Sequence, residues 1–99
     1  MATVSDITER LRSALQHQDG LAKSLKIDFK GEGFIHIDGK TVTNDDAPAD
    51  CTVAISREDL EAMARGQLDP MAAMMRGRLK IQGDMSVAMR LQAMLRGQG

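Results

Sequence analysis

Few side chains in this 99-residue sequence are placed to make or break covalent bonds. His17, His36 and Cys51 are the candidates for proton transfer or nucleophilic attack. None of them has an evident partner for general acid–base work. His36 falls in the middle of an alternating segment, on the side shared with Asp38, and reads as solvent-facing. His17 closes an amphipathic helical segment, where an imidazolium suits the negative end of the helix dipole. Cys51 begins a strand-like run and reads as a small buried apolar residue. Two histidines and one cysteine form no zinc site of known spacing, and a lone cysteine makes no intrachain disulfide. Asn44, Asp45, Asp46 and Asp50 offer oxygen ligands, but the glycine and distal glutamate of a calcium loop are missing. Gly31-Glu32-Gly33 is only a fragment of a dinucleotide fingerprint and precedes a strand, so it reads as a turn. A nucleophile elbow, a phosphate-binding loop and a His-Glu-x-x-His pair are all absent. The chemistry points away from an enzyme, and no metal or cofactor is expected.

The pattern that remains is one of binding. Seven of the eight methionines fall between residues 63 and 94: Met63, Met71, Met74, Met75, Met85, Met89 and Met94. Methionine is flexible and polarizable, and it fills irregular apolar space or lines surfaces that accept varied apolar partners. Methionines at helical spacing also build ordinary cores, so both a packed core and an apolar-ligand pocket fit this run. Aromatic residues make up 2% of the chain, Phe29 and Phe34 alone, which argues against a base-stacking nucleic-acid surface. The net charge of −1 sets up no long-range field toward nucleic acid or membrane. Residues 1–56 sum to −3 and residues 57–99 to +2, so a mild basic bias accompanies the methionines. It reads either as scatter or as a basic rim suited to anionic headgroups.

The elements that carry these residues follow from periodicity. Val4, Ile7, Leu11 and Leu15 predict an amphipathic helix over 4–16, capped by Thr3 or Ser5 and ended near Gly20. Leu25, Ile27 and Phe29 alternate with polar residues in a half-buried strand. The turn at Gly31-Glu32-Gly33 leads to a returning strand, Phe34 to Asp38, whose facing the sequence leaves open. Asp38-Gly39 turns into a short strand, Lys40 to Thr43. A loop over 44–50 precedes a strand in which Cys51, Val53 and Ile55 alternate with Thr52, Ala54 and Ser56. Ser56 with Asp59 opens a helix to about Arg65, stopped by Gly66. Asp69-Pro70 opens a second short helix closed by Gly77. Leu79 and Ile81 form a fifth strand, and Asp84 caps a last helix over 85–96. That helix has two apolar arcs, one with Val87, Ala88, Leu91, Met94 and Leu95, the other with Met85 and Met89. A helix that only covers a sheet needs one stripe, so two arcs suggest a sandwiched helix or one bordering a cavity. The whole reads as one α+β domain over 1–99.

Ala49-Asp50-Cys51-Thr52-Val53, then Ser56-Arg57-Glu58-Asp59-Leu60, then Gly66-Gln67-Leu68-Asp69-Pro70 run in order along the chain. They are followed by Met74-Met75-Arg76-Gly77-Arg78-Leu79-Lys80-Ile81-Gln82-Gly83-Asp84 and by Ala88-Met89-Arg90-Leu91. This succession resembles the sterol carrier protein 2 domain, best over residues 50–91. The resemblance implies a five-stranded, mostly antiparallel sheet in the order 3-2-1-4-5, with helices over one face enclosing an apolar tunnel. It also implies non-catalytic binding or transfer of lipid: fatty acid, acyl-CoA, sterol-like molecule or phospholipid. Met74-Met75 stands where the family often has an aromatic residue.

The expected ligand contacts are Leu60, Met63, Met71, Met74, Met75, Met85 and Met89, with Arg76, Arg78 and Lys80 as headgroup contacts at the mouth. Solvated charge is an equally direct reading of those three cations. The expected partner is a lipid or acyl chain, with transient membrane contact, and nucleic acid is not expected. The rival reading is an interaction or accessory module whose methionine-rich groove receives a partner helix or a second copy of the chain. With one cysteine, no signal pattern before Thr3, no membrane-spanning run and no Ser-Lys-Leu ending, a cytoplasmic protein is expected.

Overall fold

A computed structural model of the chain describes residues 3–17 and 23–97, without the side chains of Gln92, Leu95 and Arg96. The helix stop expected at Gly20, and the part of the last helix's apolar arc expected from Leu95, fall outside this. Helix α1 spans Val4–Gln16 and begins with a reciprocal capping box between Thr3 and Asp6, which satisfies two helix-end donors. Ile7, Leu11, Ala14 and Leu15 form its buried stripe.

Strands β1 (Leu25–Asp28), β2 (Phe34–Asp38), β3 (Thr41–Thr43) and β4 (Cys51–Ile55) come next, followed by helices α2 (Arg57–Ala64) and α3 (Pro70–Met75). Strand β5 (Leu79–Gly83) and helix α4 (Met85–Gly97) complete the order. The five strands lie in the order β3-β2-β1-β4-β5. Every neighbouring pair is antiparallel except β1 and β4, which run parallel.

Register stacks the alternating residues into one apolar face. Val42 opposes Ile37, Ile37 opposes Leu25, and Leu25 opposes Cys51. Along the next row Ile35, Ile27, Val53 and Ile81 sit side by side. The open question about β2 is thereby answered: Ile35 and Ile37 point inward, while Phe34 and His36 are half-buried on the other face. On that face the β3–β4 loop is tied down by Lys26 to Asp46 at 2.8 Å and by the His36 ring to the Pro48 carbonyl at 3.0 Å.

Helices α1, α2 and α4 turn their buried stripes toward the apolar face of the sheet, and α3 lies against β5. Two features place α4. Asp84 accepts the Ser86 amide at 2.9 Å at the start of the helix, and Lys23 donates to its other oxygen at 2.7 Å. Just before it, Gly83 has φ +96°, and a Cβ there would sit 2.1 Å from the Asp50 carbonyl oxygen. Only glycine allows β5 to end this close to β4 and turn into the helix.

Candidate functional site

The site lies at one end of the sheet, where β4 and the edge strand β5 meet α2, α3 and α4. Inward alternation brings Val53 from β4 together with Leu79 and Ile81 from β5. Leu60 and Met63 come from α2, Pro70 from the first turn of α3, and Ala88, Met89 and Leu91 from α4. Every lining residue is apolar, so the cleft can accept hydrocarbon and offers no group for chemistry on it.

The cleft is almost shut. Its cavity volume is about 20 Å³, and the free space including its open mouth is about 310 Å³. The first figure holds about one water-sized sphere, so an acyl chain enters only if the lining moves. The side chains best able to move are Met63 and Met89, which are unbranched. Met63 is 5% exposed and Met89 54%, so the first closes the interior and the second stands at the surface.

Of the residues expected from the sequence to meet a ligand, Leu60, Met63 and Met89 line this cleft. Met74 packs half-buried against the core, while Met71, Met75 and Met85 are exposed and outside the lining. The two arcs of α4 separate accordingly: Val87, Ala88, Leu91 and Met94 are buried, and Met85 and Met89 face outward. The remaining lining residues, Val53, Pro70, Leu79, Ile81, Ala88 and Leu91, went unnamed as ligand contacts. Strand alternation marks Val53, Leu79 and Ile81 as inward-facing, and the apolar arc of the last helix marks Ala88 and Leu91; the Asp69-Pro70 helix start gives no facing for Pro70.

The three candidate headgroup cations differ. Arg78 forms a two-pronged ion pair with the buried Asp59, joining the start of α2 to the start of β5. The guanidinium of Arg78, followed by burial and the Ser56 hydroxyl, sets the Asp59 carboxyl, and the net effect is below the ordinary carboxylate value. Ser56 accepts the Asp59 amide at 3.1 Å, the capping contact expected for α2. Arg76 and Lys80 are exposed and form no ion pair among the described residues. Cys51 is fully buried, and burial together with the nearby Asp84 charge pushes its thiol up, which suits an inert packing residue. Among the described residues no group of three or more His, Cys, Asp or Glu is gathered to hold a metal.

Comparison with known proteins agrees with this architecture. Sterol carrier protein 2 of Oryctolagus cuniculus is 44% identical over 54 residues, covering 54% of this chain and 10% of that protein. This chain therefore spans about a tenth of the length of that curated relative. The crystal structure of sterol carrier protein 2 like 2 from Aedes aegypti superposes with a TM-score of 0.73 at 24% identity, covering 91% of this chain and 94% of that one. The solution structure of Aedes aegypti sterol carrier protein 2 in complex with palmitate gives 0.68 at 19% identity, covering 96% of each chain. These two likenesses are likenesses of fold. The family model described as the SCP-2 sterol transfer family matches residues 2–96, and the chain belongs to that family.

Proposed function

We propose that this chain is a non-catalytic carrier that holds the hydrocarbon part of a lipid between its helices and the β4–β5 end of its sheet. The observation that carries the reading is the wholly apolar cleft built from Leu60, Met63, Val53, Ile81 and Met89 within a domain of this family. The palmitate complex of the Aedes aegypti protein, which shares the fold, supports an acyl chain as ligand. Selectivity is broad, because an apolar pocket separates ligands by only ~1–3 kcal/mol per methylene. Arg76 and Lys80, exposed and without an ion pair among the described residues, are the cations available to an anionic headgroup. A cytoplasmic, water-soluble role fits a chain in which no described helix is long and apolar enough to cross a membrane.

Displacement of a fluorescent fatty-acid probe tests the reading. Fatty acids of several chain lengths should compete, with dissociation constants on the order of micromolar or weaker. If no lipid class binds or displaces the probe, the carrier reading is wrong.

A further inference from the structure

The sheet has two edges, and the chain treats them differently. Strand β3, at one edge, is three residues long, and helix α1 packs beside it. The Arg12 guanidinium donates to the Val42 carbonyl at 2.8 Å, so the middle residue of that strand is already engaged. Natural sheets protect an edge in such ways, because a row of unpaired amides and carbonyls templates another strand. Strand β5, at the other edge, is five residues long, and Lys80, Gln82 and Gly83 are exposed along it.

Two hydrogen bonds fix which backbone groups of β5 point away from the sheet. Cys51 donates its amide to the Ser24 carbonyl at 3.2 Å, so Cys51, and by alternation Val53 and Ile55, turn their backbone groups toward β1. Asp84 donates to the Asp50 carbonyl at 3.4 Å, one rung beyond the Cys51–Gly83 pair. The β4–β5 ladder is therefore bonded through Thr52–Gln82 and Ala54–Lys80. Leu79, Ile81 and Gly83 direct their amides and carbonyls outward, and among the described residues nothing bonds those groups.

We propose that the β5 edge docks a second copy of this chain, strand against strand and antiparallel, about a two-fold axis at Ile81. The two sheets then become one continuous sheet through an isologous joint. A two-fold antiparallel pair must be centred on a residue that faces its own equivalent. Ile81 is the one centre that pairs all the outward groups, since it sets Ile81 opposite Ile81 and Leu79 opposite Gly83. Charge agrees with that register. It sets Lys80 opposite Gln82, and on the next rung Arg78 opposite Asp84. A joint centred on Lys80 would instead bring two ammonium groups face to face, which is destabilising. Carried further, the Ile81 register sets Gly77 opposite Met85 of the copy. The end of α3, where Met75 is 86% exposed, thus comes beside the start of the copy's α4, where Met85 is 44% exposed. The strand is short and a stable interface needs roughly 800 Å² from each side, so association is weak, with a dissociation constant on the order of 100 µM.

Sedimentation velocity on the purified chain, from about 10 µM to about 1 mM, should show a reversible monomer–dimer equilibrium. Amide-resolved hydrogen exchange over the same range locates the joint. The Leu79, Ile81 and Gly83 amides should gain protection as concentration rises, while those of Lys80 and Gln82, bonded to β4, should not change. Gln82→Lys sets a lysine opposite Lys80 and should weaken the dimer roughly fivefold; Gln82→Glu sets an opposite charge there and should strengthen it roughly fivefold. Gln82 is exposed and outside the cleft lining, so both variants should keep the wild-type melting curve and fatty-acid probe binding. A chain that stays monomeric throughout overturns the proposal. So does a dimer in which those three amides gain no protection, or in which the two charge variants behave alike. Probe binding is read separately, so loss of the carrier reading and loss of the dimer are distinguishable.

Discussion

Met89 and Met75 show how neighbouring methionines come to do different work. Met89 borders the cleft yet is half-exposed, so a carboxylate there avoids full burial while spoiling the apolar lining. Met89→Asp should therefore weaken fatty-acid probe binding at least ~10-fold, about 1.4 kcal/mol, with little change in melting temperature. Met75→Asp, outside the lining and almost fully exposed, should weaken the same binding far less. Titrations paired with circular dichroism melts decide the point, and equal losses in the two variants would mean that the ligand sits over α3 and not within the cleft. The sequence grouped these residues because composition reports residue type and not direction. Leu60 and Met63, one turn apart on α2, are expected from the sequence to meet a ligand, and the structure places both side chains in the cleft lining. Met71, Met75 and Met85 share the type but lie on outward faces of short helices, where a local pattern does not fix orientation. For Arg78 the sequence leaves a headgroup contact and a solvated charge equally open, because its partner Asp59 lies 19 residues away, in a different element.

Helices and strands were the most legible part of the chain. The alternation at Leu25–Ile27 and Cys51–Val53–Ile55, the Thr3 and Asp69 caps and the Asp84 start all have a local physical cause, and each is present. The pairing of β1 with β4 is different: nothing in either strand announces it, their adjacency came only through the strand order that the family resemblance implies, and the structure shows that they run parallel. The facing of β2 was equally illegible, because both of its faces carry an apolar residue and only the neighbouring register decides. Helix α4 depends on its first turn. Lys23 and then Ser86 hold the Asp84 carboxyl down to about 2, from an ordinary value of 3.8. The ionised form is thus favoured by folding, and its contribution is complete above pH 3.8 and fades as pH falls toward about 2. The difference in urea midpoint between the wild-type chain and Asp84→Asn should be largest near neutral pH and shrink across that acid window. A difference that stays constant down to the lower limit would show that the carboxylate does not act through its charge.

The molecule as a whole must balance a binding site against a small core. A rigid void of ~300 Å³ at ~24 cal/mol per Å³ would cost ~7 kcal/mol, comparable with the ~5–15 kcal/mol that holds a domain together. The observed cavity of about 20 Å³ costs only ~0.5 kcal/mol on the same footing. The fold therefore keeps the cleft nearly closed, and on the proposed carrier reading a ligand enters by displacing Met63 and Met89, which the high Met and low aromatic content makes available. Ligand at 100-fold above its dissociation constant should then add ~2.7 kcal/mol, raising the melting temperature by ~4–8 °C. Hydrogen exchange should slow first in α2 and α4, which line the cleft, and least in β2 and β3 at the far side of the sheet. A melting curve indifferent to every lipid would leave a packed core with no carrier role.

The most direct measurement is an isotope-filtered nuclear Overhauser experiment on the chain with labelled methionine methyl groups and an unlabelled fatty acid. Contacts from the acyl chain should appear at the methyls of Met63 and Met89, the two methionines that line the cleft. Contacts confined to Met71 and Met75, or no contacts at a saturating fatty-acid concentration, would contradict an acyl-chain site between the helices and the β4–β5 end of the sheet.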